Sequence, residues 1–237
     1  MLSSKCWRPD TVLHFLAGLF GSMVIGISLA GMLGSAAERA GGPTSMPTLI
    51  IGTLCFHGMG MVLIGRLVRE NNATWSEAFG FSSGRVGRSL LLAVLVWLLV
   101  LPLAWSLSQF TERVLSLFHV ETVPQSIVQT LQSNLSLSMS IVLGLAAVFI
   151  APVAEELIFR GVLYSFIKQC GYPRLAMWGT AILFAFIHNN RLTFLSLLLL
   201  ALILTLLYET TNNLLAPILT HSLFNATNYF ILLLQSH

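Results

Sequence analysis

The chain has 237 residues, of which 56% are hydrophobic and only 9% charged, with a net charge of +3 and a mean hydropathy of +0.84. A soluble domain carries roughly 25% charged residues, so this composition excludes a water-soluble globule and indicates a polytopic membrane protein. The twelve Lys and Arg are scattered between apolar segments and offer no nucleic-acid patch. Cys6, Cys55 and Cys170 are odd in number and too widely spaced for a disulfide framework or a zinc knuckle.

A membrane span needs about 20 mostly apolar residues. In chain order the candidates are 11–33, 46–68, 89–110, 136–167, 174–190, 192–208 and 212–234. The expected fold is therefore all-α, a transmembrane bundle of seven or eight helices. The first run follows Lys5 and Arg8 and ends near Ser-Ala-Ala, but it far exceeds the roughly 7–15 apolar residues of a signal peptide. It reads as a retained helix. Ser22, Gly26, Ala30 and Gly34 recur every fourth residue along it; this suits close helix packing, although small residues are common in any membrane helix. Between the second and third spans, E-N-N-A-T-W-S-E-A-F-G-F-S-S-G-R reads as an interfacial loop, with Trp75 and Phe79 at headgroup depth.

Segment 136–167 would be about 48 Å of helix, against a hydrocarbon core about 30 Å thick. Pro152 falls in its middle and removes a backbone hydrogen bond, so the segment is one long bent helix or two shorter ones. No internal repeat and no soluble domain is found. The organisation expected is a single integral membrane domain over 1–237, with accessory helices in 1–135 and a polar-motif core in 136–234. With seven spans, Lys5, Arg8, Arg66, Arg69, Arg85, Arg88, Lys168 and Arg174 gather on one side, and Arg39, Arg113 and Arg191 on the other. That bias orients the N-terminus to the cytoplasm. Short loops and small size suit a bacterial cytoplasmic membrane and are compatible with an organellar one.

Charge inside the spans is concentrated in A-P-V-A-E-E-L-I-F-R, residues 151–160. A charged side chain at mid-bilayer costs about 2.5–3.5 kcal/mol on an insertion scale, so these three need partners or a task. Glu156 and Arg160 are four apart, share a helix face and can pair. Glu155 lies about 100° round the helix from Glu156 and is left free. Desolvation holds a free buried carboxyl back from ionising, which suits a general base near neutral pH. A helix end at the headgroups, purely structural, is the competing reading of all three charges.

Two later segments supply companions. F-A-F-I-H-N-N places His188 at the end of a span, on the face of Phe184, and T-H-S-L-F-N places His221 and Asn225 side by side at i and i+4. Pro217 frees the carbonyl of Asn213 and is expected to bend that last helix. His14 and His57 lack an obvious polar companion and read as structural. Glu155, His188, His221 and Asn225 together make the inventory for water attack on an amide carbonyl, with donors for the oxyanion.

E-E-L-I-F-R fits E-E-x-x-x-R, F-A-F-I-H fits F-x-x-x-H and H-S-L-F-N fits H-x-x-x-N, in that order. Over about residues 145–230 the chain resembles the CPBP intramembrane protease family, which includes CaaX endopeptidases and bacteriocin-processing and immunity-type proteins. The resemblance implies an endopeptidase in which Glu155 and His188 activate water. It further implies that His221 and Asn225 stabilise the oxyanion and that Glu156 and Arg160 hold the motif helix. No cofactor is expected. Zinc on two histidines and a glutamate is the weaker alternative, since no H-E-x-x-H helix is present. The partners expected are membrane lipid and a membrane-associated or lipidated peptide or protein substrate, with no nucleic acid. The rival readings are a non-catalytic, immunity-type protein of the same fold and a small transporter, although transporters usually carry broken helices in repeated halves.

Overall fold

The computed structural model describes residues 7–39, 45–81, 86–120, 128 and 137–235; Lys5, Cys6 and Arg85 lie outside them. Among the described residues there are eight helices and no strand: α1 (Pro9–Arg39), α2 (45–70), the short α3 (Trp75–Phe79), α4 (Val86–Leu117), α5 (Leu137–Gln169), α6 (Pro173–Ile187), α7 (Phe194–Thr211) and α8 (Leu215–Gln235). Five of these, α1, α2, α4, α5 and α7, are long and apolar enough to cross a membrane. The eight helices fit the all-α bundle of seven or eight helices expected from the sequence. Two candidate spans fall short for different reasons: α6 has 15 residues, and α8 has 21 but places His221, Asn225 and Asn228 along its length. Both pack within the bundle, α6 on α7 and α8 on α4.

The question of one helix or two over 136–167 is answered by α5, which runs unbroken for 33 residues. Its hydrogen-bond ladder changes register instead of breaking. A π-helical turn at Ala146–Ile150 precedes Pro152, and a longer one spans Leu157–Tyr164. A widened turn accommodates the bond that proline cannot make. Pro217, expected to bend α8, sits in that helix's first turn, where its missing N–H would have had no partner anyway. It starts the helix.

Half of the small-residue stripe on α1 makes the contact expected of it. A side chain at Gly26 would place its Cβ 2.8 Å from Cys55 Cβ on α2, and Ser22 Oγ donates to the Cys55 carbonyl at 2.6 Å. Gly34 has open space beside it.

The loop after α2 also differs from expectation. Thr74 and Glu77 cap α3 reciprocally, and Gly80 ends it at φ 77° with the Asn212 carbonyl so close that a Cβ would lie 1.9 Å away. Phe79 is fully buried beside Trp7 and Trp75, and only Trp75 stays exposed. The helix turns one aromatic inward, which linear spacing could not show.

Candidate active site

The two glutamates of α5 close its α-helical stretch Ala151–Glu156, just before the second π-helical segment. Glu156 is fully buried, and its Oε1 accepts from Arg160 Nη1 at 2.8 Å and from His221 Nδ1 at 2.9 Å. A carboxylate only accepts, so His221 carries a proton on Nδ1. Its Nε2 lies 3.8 Å from Glu155 Oε2. Arg160 donates its other terminal nitrogen to the Ala201 carbonyl at 2.9 Å and lies over the Phe184 ring, 4.9 Å from the centroid. With the imidazoles neutral, Glu155, Glu156 and Arg160 sum to one net negative charge inside the bundle.

Phe184, the first residue of F-A-F-I-H, is the hub that the histidines share. Its ring centroid lies 4.8 Å from that of His188 and 5.7 Å from that of His221, and Phe159 meets it edge-on. His188 caps the end of α6, with Nδ1 2.7 Å from the Phe184 carbonyl. A carbonyl can only accept, so Nδ1 holds the proton and the neutral ring offers Nε2 as its free lone pair. Asn225 donates one amide hydrogen to the Ala147 carbonyl at 2.9 Å. Its NH₂ group has a second.

Glu155, His188, His221 and Asn225 line one cavity of about 620 Å³ between α2, α4, α5, α8 and the α6–α7 turn. Glu156 and Arg160 stand behind this wall and do not line it. The cavity extends past Ser108, Glu112, Asn190 and Leu232, toward the end of the bundle that carries Arg113 and Arg191.

In one respect the arrangement departs from the sequence reading. Glu155 is not free: His57 Nε2 lies 3.1 Å from its Oε1. His57, read as structural, sits on α2 in a third π-helical turn, Leu54–Gly58, and lines the same cavity. The local signal for it was Thr53, a polar residue four positions earlier that lines the cavity too. A contact across 98 residues of sequence left no other trace. His14 borders a different hollow, with Arg66 and Glu70. Among the described residues, no group of three from His, Cys, Asp and Glu is placed to hold a metal ion.

Residues 137–227 match the model of the Rce1-like family, the type II CAAX prenyl endopeptidases. The match runs from the start of α5 into α8. All three motifs, and with them Glu155, His188, His221 and Asn225, fall inside the Rce1-like stretch; α1 to α4, with His57, fall outside it. No curated protein and no solved structure matches the chain.

Proposed function

We propose that this protein is an intramembrane endopeptidase that hydrolyses a peptide bond of a membrane-associated or lipidated substrate through water activated by Glu155 and His188. The observation that carries this reading is the convergence of Glu155, His188, His221 and Asn225, all within the Rce1-like stretch, on one cavity. Glu155 takes a proton from the water as its oxygen attacks the scissile carbonyl carbon. His188 accepts a hydrogen bond from the same water through Nε2 and fixes its direction. Negative charge builds on the carbonyl oxygen as the C–O bond forms. The second amide hydrogen of Asn225 faces that oxygen, beside the His221 ring, which Glu156 orients through Nδ1. Donors fixed in a water-poor site stabilise such charge with little reorganisation. Collapse breaks the C–N bond, and the proton held by Glu155 leaves with the amine.

Hydrolysis without a metal is part of the proposal. A second part concerns direction. If the basic-rich face is cytoplasmic, the cavity reaches the opposite face, and the scissile segment enters from the extracytoplasmic side, as in an integral protein of a bacterial cytoplasmic membrane.

The test compares membrane proteomes of cells carrying the wild type and Glu155→Ala, and measures cleavage of an internally quenched, farnesylated peptide ending in Cys-aliphatic-aliphatic-X by the purified proteins. A precursor that accumulates only in the mutant, and a wild-type activity that survives a chelator, are the expected results. Full function in Glu155→Ala, His188→Ala and His221→Ala alike would overturn the reading.

A further inference from the structure

His57 belongs to a helix outside the Rce1-like stretch, yet it approaches Glu155 more closely than His221 does, 3.1 Å against 3.8 Å. We infer that His57 is a positioning residue for the reaction, fixing the plane of the Glu155 carboxylate so that Oε2 is the oxygen turned toward His221 and the reacting water. The inference rests on the proposal that Glu155 is the base.

The argument starts from the side chain. The last torsion of a glutamate is broad and roughly two-fold, so helix packing alone does not decide which way its carboxylate faces. Five titratable groups stand around Glu155: His57 from α2, His188 from the end of α6, His221 from α8, and Glu156 and Arg160 from its own helix. Glu156 and Arg160 are bonded to each other, and His188 is bonded through Nδ1 to a backbone carbonyl. His57 is the group within hydrogen-bond distance, and it engages Oε1 alone. Beside a carboxylate its Nε2 must carry the proton.

The other end of the ring supports the same assignment. Nδ1 of His57 is buried with no hydrogen-bond partner, and buried polar atoms left so are uncommon and call for a reason. Turning the ring or its tautomer to satisfy Nδ1 would give up the bond to Glu155. The backbone is shaped for the bond as well. The π-helical turn Leu54–Gly58 carries His57, and the Cys55 carbonyl within that turn accepts from Ser22 Oγ of α1 at 2.6 Å. Helix α1 thus holds the turn that aims the imidazole.

The experiment uses the full-length protein in proteoliposomes, with the quenched farnesylated peptide for kcat and KM, and pulse-chase of the precursor in cells as a second measure of turnover. His57→Phe removes the donor; His57→Gln keeps an N–H at similar reach; His57→Asn carries the same amide one bond short. Loss of a hydrogen bond to a charged group corresponds to a fall of about 10- to 100-fold. The expected result is that fall in kcat and in precursor turnover for His57→Phe and His57→Asn, with KM within about threefold of wild type and His57→Gln largely restored. Wild-type turnover in His57→Phe, a change confined to KM, or a His57→Gln as impaired as the other two would overturn the inference. Failure of the underlying reading looks different: Glu155→Gln would then turn over normally, whatever the His57 variants do.

Discussion

Arg160→Met is the perturbation whose consequence the structure determines most directly. The guanidinium is 1% exposed and Glu156 is 0% exposed. Removing it deletes the 2.8 Å bond to Glu156, the 2.9 Å bond to the Ala201 carbonyl and the contact with the Phe184 ring. Methionine follows the aliphatic stem, so little packing is lost. What changes is charge: Glu156 becomes a buried carboxylate whose remaining partner is His221. Removing one member of a buried pair costs about 3–5 kcal/mol. For a chain of this size that corresponds to a fall in Tm of about 6–20 °C.

The companion double variant, Glu156→Gln with Arg160→Met, discriminates between this account and simple loss of packing. Without the carboxylate there is no stranded charge, and the amide oxygen of the introduced glutamine can still accept from His221 Nδ1. The double variant should recover most of the lost stability, giving a coupling of at least about 2 kcal/mol in the double-mutant cycle. The assay is thermal unfolding of the detergent-solubilised protein followed by a thiol-reactive dye or by size-exclusion. An Arg160→Met protein within about 2 °C of wild type, or a double variant less stable than either single one, would refute the reasoning.

Two further outcomes are expected. Replacing Cys6, Cys55 and Cys170 and introducing Glu112→Cys should give a protein labelled by a membrane-impermeant maleimide in intact cells, while Arg69→Cys labels only after lysis; the reverse pattern would turn the cavity to the cytoplasm. At the α3 cap, bonds from the Thr74 backbone and side chain hold the Glu77 carboxyl below its ordinary value of 4.5. Because the folded value is the lower one, the cap's contribution is complete above that pH and is lost as pH falls through the folded value. Protection of the 75–79 amides, with exchange corrected for its intrinsic pH dependence, should therefore fall on acidification in the wild type and be already low, and flat with pH, in Thr74→Ala.

Much of this could be read from spacing, and the part that could not has a common cause. Long apolar runs marked the helices because a bilayer forces backbone pairing within each segment. The Glu156–Arg160 pair followed from i,i+4 geometry on a single helix. The link from Glu156 to His221, 65 residues later, is 2.9 Å long and has no local signature. Nor had His57 on Glu155, since each depends on how α2 and α8 lean on α5. Phe79 was misplaced for the opposite reason: an interfacial composition hid a five-residue helix with one buried face.

A membrane interior is short of polar groups, and the three π-helical turns share one feature. In each, a backbone carbonyl accepts from a side chain: Cys55 from Ser22, Ala147 from Asn225, and Arg160 from Ser165 at 2.8 Å. π-helical turns recur at functional sites. The first turn carries His57, the second anchors the amide of Asn225, and the third carries Arg160 directly after the two glutamates. Restoring regular register at either of the first two, by deleting one residue from 54–58 or 146–150, would rotate a cavity-lining residue off the wall while leaving the helix long enough to span. Irregular backbone here is therefore tied to the placement of the polar residues, and its loss should cost activity before it costs insertion into the membrane.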